Sequence, residues 1–296
     1  MYLPPSVEAS LRDCFKRLAG CEPSAPLSVR TASGGSINQA AIVTCRGERL
    51  FVKWNRAHTY PGMFEAEAKG LQLLSSVGGA LVPGVVAVEQ DEQLAWLVLE
   101  AIEPGHGSSR AATRLGEMLA RMHQQTHRQF GLDHHNYMGS LTQSNRHHAT
   151  WHDFFIGERL SPQIAMGQDN GMLSGADRAV YEKLFLRLPS LVPHEPPALV
   201  HGDLWSGNFL WGAGDQPWLI DPAVAYNHRE TDIAMSMLFG GFPHTFYEAY
   251  HHHYPLEPGW KQRVEIHQLY PLLVHLNLFG SGYRPQITAI LRRFAG

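Results

Sequence analysis

Asp203, Asn208 and Asp221 stand five and thirteen residues apart within His201-Gly202-Asp203-Leu204-Trp205-Ser206-Gly207-Asn208 and Ile220-Asp221-Pro222-Ala223. Phosphoryl transfer asks little covalent chemistry of a protein. It needs a carboxylate beside the accepting hydroxyl and oxygen ligands for Mg²⁺ on the phosphates, and these three side chains can supply both. The plainer account is a β-hairpin, Phe209 to Trp211 and Pro217 to Ile220, with polar residues at its ends. That account leaves three acceptor-type side chains gathered beside apolar runs with no cation to satisfy them, which is costly.

A second group of residues suits the nucleotide. Ser33-Gly34-Gly35-Ser36-Ile37-Asn38 is a turn between two strand-like runs. Gly34, Gly35 and Ser36 would let backbone N–H groups approach phosphate oxygens. Phe51-Val52-Lys53 follows, and strand alternation puts Phe51 and Lys53 on one face. In the next helical stretch the apolar stripe is Phe64, Ala68, Leu71 and Leu74, which places Glu67 on the inward side. An inward glutamate needs a partner, and Lys53 is the candidate, in the pairing that holds α- and β-phosphates. Glu65 is expected to pair with Lys69 on the wet face instead. Leu97 to Ile102 then leads into a Pro/Gly segment, and backbone groups at Glu100, Ala101 and Ile102 would hold adenine.

These residues need two lobes to position them. A helix over residues 6–20, with Val7, Leu11, Phe15 and Leu18 on one stripe, precedes strands at Leu27–Ala32, Ala40–Cys45 and Leu50–Trp54. A helix over 62–77 and a hairpin of Val85–Glu89 with Leu94–Glu100 complete the first lobe. Glu103-Pro104-Gly105-His106-Gly107 reads as the linker. Beyond it lie helical patterns at Arg110–Gln125, Trp151–Leu160, Asp177–Leu188, Ile233–Leu238, Thr245–His253, Trp260–Phe279 and Arg284–Phe294. The expected fold class is therefore α+β and two-lobed. A small antiparallel β-rich N-lobe with one main helix (1–102, nucleotide-binding) sits on a larger, mostly helical C-lobe (103–296, catalytic and substrate-binding), with a ligand cleft between them.

Composition bounds the partners. The chain has 296 residues, 44% hydrophobic and 17% charged, long enough for two cored lobes. A net charge of −3 gives no electrostatic case for nucleic acid or an anionic membrane. No apolar run approaches a membrane span, and no signal peptide is visible at Met1-Tyr2-Leu3-Pro4-Pro5. Cys14, Cys21 and Cys45 match no metal or disulfide spacing, so a reduced cytoplasm is expected. The 18 histidines, with pairs at His134-His135 and His147-His148 and a triplet at His251–His253, lack companion ligands at metal spacing and read as solvated or hydrogen-bonding groups.

Three features argue against a protein kinase and favour a small-molecule kinase. Gly202 stands where many protein kinases have an arginine, and Trp205 stands where a lysine is common. Only eight residues separate Asp221 from Glu230, too few for an activation segment. The chain resembles the fructosamine kinase (ketosamine-3-kinase) family, within the aminoglycoside-phosphotransferase-like, protein-kinase-like fold, from about residue 10 to 292. The marks are Gly34 to Asn38, Phe51-Val52-Lys53, Met63 to Glu67, the His201–Asn208 loop with its Trp205, Asp221-Pro222-Ala223, His228 to Asp232, Leu238-Phe239-Gly240-Gly241-Phe242 and Leu273 to Gly280.

The resemblance implies ATP- and Mg²⁺-dependent phosphorylation of a ketosamine at its third carbon, on a small glycated amine or a glycated protein, as deglycation repair. Bacterial relatives suit ribulosamine or erythrulosamine better than fructosamine. The resemblance makes Asp203 the catalytic base, Asn208 and Asp221 the metal ligands, and Lys53 with Glu67 the phosphate clamp. It gives His201 and Asp232 the task of bracing the loop. Ser36 replaces the cysteine through which some relatives dimerise. Trp205, Trp151, Phe154 and Phe155 are expected in the core rather than against the sugar. Another small-molecule phosphotransferase, for an aminoglycoside, choline or a sugar, would share every catalytic residue. A nucleotide-binding pseudokinase scaffold would have lost Lys53, Asp203 or Asp221.

Overall fold

The computed structural model describes residues 2–32, 37–76 and 80–296. The amphipathic helix α1 (Pro5–Ala19) turns Val7, Leu11 and Phe15 inward, while Leu18 at its last turn is exposed, outside the expected stripe. Three antiparallel strands follow: β1 (Ser28–Thr31), β2 (Gln39–Cys45) and β3 (Glu48–Arg56). Helix α2 (Met63–Ser76) then precedes β4 (Val85–Gln90) and β5 (Leu94–Glu100), and the five strands form one sheet in the order β1-β2-β3-β5-β4. Alternation splits β3 between two environments. Val52 and Trp54 pack with Trp96, Val98 and α1 on the outer face. Lys53 lies opposite Ala40 and Leu97, on the face toward α2. The small lobe thus carries α1 on the outer face of the sheet and α2 on the face toward the cleft.

The remainder is mostly helical. Ser108 caps α3 (Ser109–His123), its hydroxyl accepting from Ala111 N at 3.0 Å. A hairpin of β6 (Asn136–Met138) and β7 (Leu141–Gln143) comes next. α4 (Trp151–Phe154) runs through a π-helical turn at Phe155–Leu160 into α5 (Ser161–Asp169), and a capping box of Ser174 and Asp177 starts α6 (Gly175–Leu191). Short strands β8 (Ala198–Val200), β9 (Phe209–Gly212), β10 (Gln216–Leu219) and β11 (Ala225–Asn227) frame the segment from His201 to Ala223. Helices α7 (Glu230–Leu238), α8 (His244–His253), α9 (Trp260–Phe279) and α10 (Arg284–Ala295) close the chain. Trp151, Phe154 and Phe155 are buried in the core around α9, as expected of them. No helix among the described residues is long and apolar enough to cross a membrane.

One core is continuous between the lobes. Phe64 and Leu71 from α2 and Leu97 from β5 pack in the same cluster as Leu115 and Leu119 of α3 and Leu204 of the His201–Asn208 loop. The linker is strapped down rather than loose: Gly105 N donates to Trp211 O at 2.7 Å and Ala213 N donates to Glu103 O at 3.2 Å. A β-carbon at Gly105 would stand 2.1 Å from Gly212 O, so only glycine permits this approach.

Candidate active site

β8 delivers the chain to His201, and β11 takes it away from Ala223. Because β8 and β11 pair antiparallel, Val200 opposite Ala225, the two ends of the catalytic segment are brought together. Ala223 N donates to His201 O at 2.9 Å. Gly202 has φ of 85°, and a β-carbon there would fall 2.1 Å from Ala223 O, which accounts for glycine in the loop. Fully buried Asp232, at the start of α7, accepts His201 N (2.7 Å) and Gly202 N (2.8 Å) and lies 3.1 Å from His123 Nε2. His201 bonds through Nε2 to Ile220 O (3.0 Å) and accepts Asp203 N on Nδ1 (3.3 Å). Burial holds this imidazole below its usual range, so it braces the loop as a neutral ring.

Asp203 sits half-buried at the floor of the cleft. Asn208 Nδ2 donates both to its carbonyl (2.9 Å) and to its Oδ2 (2.8 Å). Burial pushes the Asp203 carboxyl up to about 7, against the Asn208 hydrogen bond and with help from the charges of Asp221 and Asp232. That is the range in which a carboxylate can take and return a proton near neutrality.

Across the cleft, Lys53 Nζ lies 2.5 Å from Glu67 Oε2 and 2.6 Å from Asp221 Oδ1. Burial opposes the ammonium, but the two carboxylates outweigh it and raise the Lys53 pKa. One cation between two carboxylates cannot satisfy both equally. Asp221, whose side chain is 47% exposed to the cleft, is held below the usual carboxylate range because Lys53 outweighs its burial. Glu67 lies in the drier position, and burial with the Asp221 charge lifts it to about 7 despite Lys53. Its Oε1 is buried with no hydrogen-bond partner among the described residues.

Three cavities adjoin along this line. The central one, about 210 Å³, is lined by Lys53, Glu67, Asn136, Asp203, Asn208 and Asp221. A slot of about 300 Å³ shares Asp221 with it and is walled by Ile42, Phe51 and Leu210, with Glu100, Ala101 and Ile102 at its edge. Glu100 directs its N–H to Gly84 O (2.8 Å), and its carboxylate accepts from Gly84 N (3.2 Å), so both groups are already engaged. On the other side a chamber of about 710 Å³ shares Asp203 and Trp205 and is lined by Met235, Phe239, His275 and Tyr283.

The structure therefore brings together Lys53, Glu67, Asp203, Asn208 and Asp221, and puts Glu100, Ala101 and Ile102 on the adjoining slot. Gly34, Gly35 and Ser36 lie outside the described residues. Two expectations fail. Trp205 is not core: it is 38% exposed and lines both the central cavity and the chamber, because it opens the tight turn in which Asn208 N donates to Trp205 O at 3.0 Å. Glu65 makes no ion pair with Lys69; it is half-buried, and its Oε2 has no partner among the described residues. Sequence reasoning also missed Asn136, Tyr137 and Gly139 in the central cavity and the aromatic lining of the chamber. The Gly139-Ser140 turn between two short runs was the available signal for the first group. The one metal-compatible cluster among the described residues, His228, Glu230 and His267, involves none of the paired or tripled histidines.

A family model described as fructosamine kinase matches residues 18–295. A probable ketoamine kinase of Enterococcus faecium is 41% identical over 263 residues, 88% of this chain and 93% of that protein. The chloroplastic protein-ribulosamine 3-kinase of Arabidopsis thaliana is 35% identical over 271 residues, covering 89% and 81%. A solved structure from Thermobifida fusca, provisionally named a fructosamine-3-kinase, superposes with a TM-score of 0.84 at 35% identity over 96% of this chain and 97% of that one. An aminoglycoside phosphotransferase at 16% identity and a TM-score of 0.64 shares the two-lobed fold, covering 98% of this chain and 99% of that one.

Proposed function

The chain belongs to the fructosamine kinase family, and from that premise we propose that it transfers the γ-phosphoryl group of ATP to the hydroxyl on the third carbon of a ketosamine. The relatives named for ketoamines and ribulosamine support this acceptor class. The observation that carries the site assignment is the meeting of Lys53 with Asp221 at 2.6 Å, beside Asp203 in one cavity.

Asp203 is the base. Its Oδ2 is engaged by Asn208, so Oδ1 is the atom offered to the acceptor hydroxyl. As the hydroxyl oxygen bonds to phosphorus, its proton passes to Asp203 and the bond to ADP breaks. Lys53, held by Glu67, clamps the α- and β-phosphates. The apolar slot at Glu100, Ala101 and Ile102 takes adenine, and Gly34, Gly35 and Ser36 are the residues assigned to the phosphates.

The donor set suits a hard cation. Asp221 presents an open carboxylate, and Asn208, with Nδ2 committed to Asp203, offers its amide oxygen. These two residues would hold Mg²⁺, which neutralises phosphate charge when bound. The chamber past Trp205 takes the acceptor, as a small ketosamine or a glycated side chain of a protein. Phosphorylation there labilises the adduct and so serves deglycation.

We place the lobe division at Ile102/Glu103, giving a nucleotide lobe (1–102) and a catalytic lobe (103–296). The buried free thiols of Cys14, Cys21 and Cys45 suit a reducing cytoplasm. An ATP-consumption assay over ribuloselysine, fructoselysine and an aminoglycoside tests the acceptor. Turnover of a ketosamine is expected, and turnover of the aminoglycoside alone would overturn the reading.

A further inference from the structure

Asp221 has φ of 51°. A β-carbon resists this left-handed conformation, which persists only where the surroundings over-determine it. On one side His201 does so, through Ile220 O (3.0 Å) and Ala223 N (2.9 Å). On the other side the segment is held by residues outside the loop motif. Asn136, the first residue of β6, donates Nδ2 to Val224 O at 2.9 Å. Gln143, its register partner at the end of β7, points Nε2 at Asn136 Oδ1 (2.8 Å) and Ala223 O (3.4 Å).

Behind these amides lies a buried relay with a fixed direction. Arg159, 2% exposed, can only donate. Its Nη2 lies 2.6 Å from Asn145 Oδ1, which turns Asn145 Nδ2 toward Asn136 Oδ1 (2.9 Å). Asn136 Oδ1 is thereby committed as acceptor, and Nδ2 must face Val224 O. Tyr270 OH fixes Gln143 in the same sense by donating to Oε1 at 2.7 Å. The Arg159 guanidinium lies over the Phe154 and Tyr270 rings, 4.5 and 5.5 Å from their centroids. A chain of buried amides costs stability unless every member is satisfied, and when satisfied it specifies one arrangement.

We infer that Asn136 and Gln143 are positioning residues for Asp221, with their amides oriented by Arg159 through Asn145, so that the β6–β7 hairpin belongs to the phosphotransfer machinery. This rests on the reading of Asp221 as a cation ligand. The relay acts on the backbone of 223–224, and so on where the Asp221 carboxylate points when a nucleotide and its metal arrive.

The test compares N136A, N136D and Q143L with N277A. N136D keeps the volume and the acceptor of Asn136 but loses the donor to Val224 O. N277A removes a half-buried amide that is bonded to Gln163 and lines none of the three cavities. Amide hydrogen exchange at Ala223 is measured without nucleotide or metal, and Mn²⁺ affinity of the ADP complex is measured by electron paramagnetic resonance. The three relay variants should lose Ala223 protection beyond any global destabilisation and bind Mn²⁺ about 10–100-fold more weakly, the usual effect of losing an outer partner of a ligand. Values no different from those of N277A would overturn the inference. D221N serves as reference: wild-type Mn²⁺ affinity in D221N would instead sink the assignment of Asp221 itself.

Discussion

The Asp232 carboxylate accepts the backbone N–H of His201 at 2.7 Å, and its second oxygen accepts the next N–H along, that of Gly202, at 2.8 Å. A single buried side chain on α7 thereby sets the start of the catalytic loop, and it does so from a position with no exposed surface. Asp232→Ala should leave both donors buried without partners, at about 1–3 kcal/mol each. Urea unfolding reads this directly, and a variant with the wild-type midpoint would show that the clamp contributes nothing.

Gly202 faces a second demand from the same loop. Its φ of 85° disfavours any side chain, and a β-carbon would stand 2.1 Å from Ala223 O. Gly202→Ala should therefore cost more than the roughly 1–3 kcal/mol of left-handed strain alone, and phosphotransfer should fall with it. Retention of both wild-type thermal stability and rate would contradict this account of the glycine.

Lys53 is buried between Glu67 and Asp221. Lys53→Met keeps much of the side-chain length while removing the cation. ATP KM should rise and the rate should fall, with the circular-dichroism spectrum unchanged. An unaltered ATP KM and rate would remove Lys53 from the phosphate clamp.

The pH profile follows from two carboxyls lifted to about 7, Asp203 by burial and Glu67 by burial and the Asp221 charge. The proposed mechanism needs both ionised, Asp203 to accept a proton and Glu67 to hold Lys53. Activity is thus present above about 7 and is lost as pH falls through that value. On the acid side, log kcat/KM for ATP should approach a slope of two. Glu67→Gln removes one ionisation and should reduce the slope to one, at a lower plateau. A wild-type profile flat between pH 5.5 and 8 would contradict both assignments.

Much of the site was legible in the sequence because it is built from local patterns. Loop spacing picked out Asp203, Asn208 and Asp221 as candidates, which the fold gathers on one cavity, and the α2 stripe turned Glu67 toward Lys53. The α+β two-lobed architecture followed from period-two runs giving way to helical ones. What was hidden depends on contacts distant in sequence. Asn136 and Gln143 lie on three-residue strands too short for alternation to register, and their meaning comes from Ala223 and Val224. The β8–β11 pairing, also three residues long, joins segments that no local pattern relates. Trp205 is a large apolar residue of the kind that fills cores, and only its place on the turn closed by Asn208 N and Trp205 O leaves it at the chamber beside Asp203. Glu65 has Lys69 at helical spacing, yet its carboxylate turns inward.

The central claim is that Asp203 activates the third-carbon hydroxyl of a ketosamine. Phosphorus NMR of the products formed from ribuloselysine and Mg·ATP, by wild type and by Asp203→Asn, tests it most directly. The account predicts a phosphate ester on the third carbon from the wild type and a rate lower by about 10²–10⁴-fold in the variant, the range for losing a positioned base. A phosphate on a different hydroxyl, or equal rates from the two proteins, would contradict it.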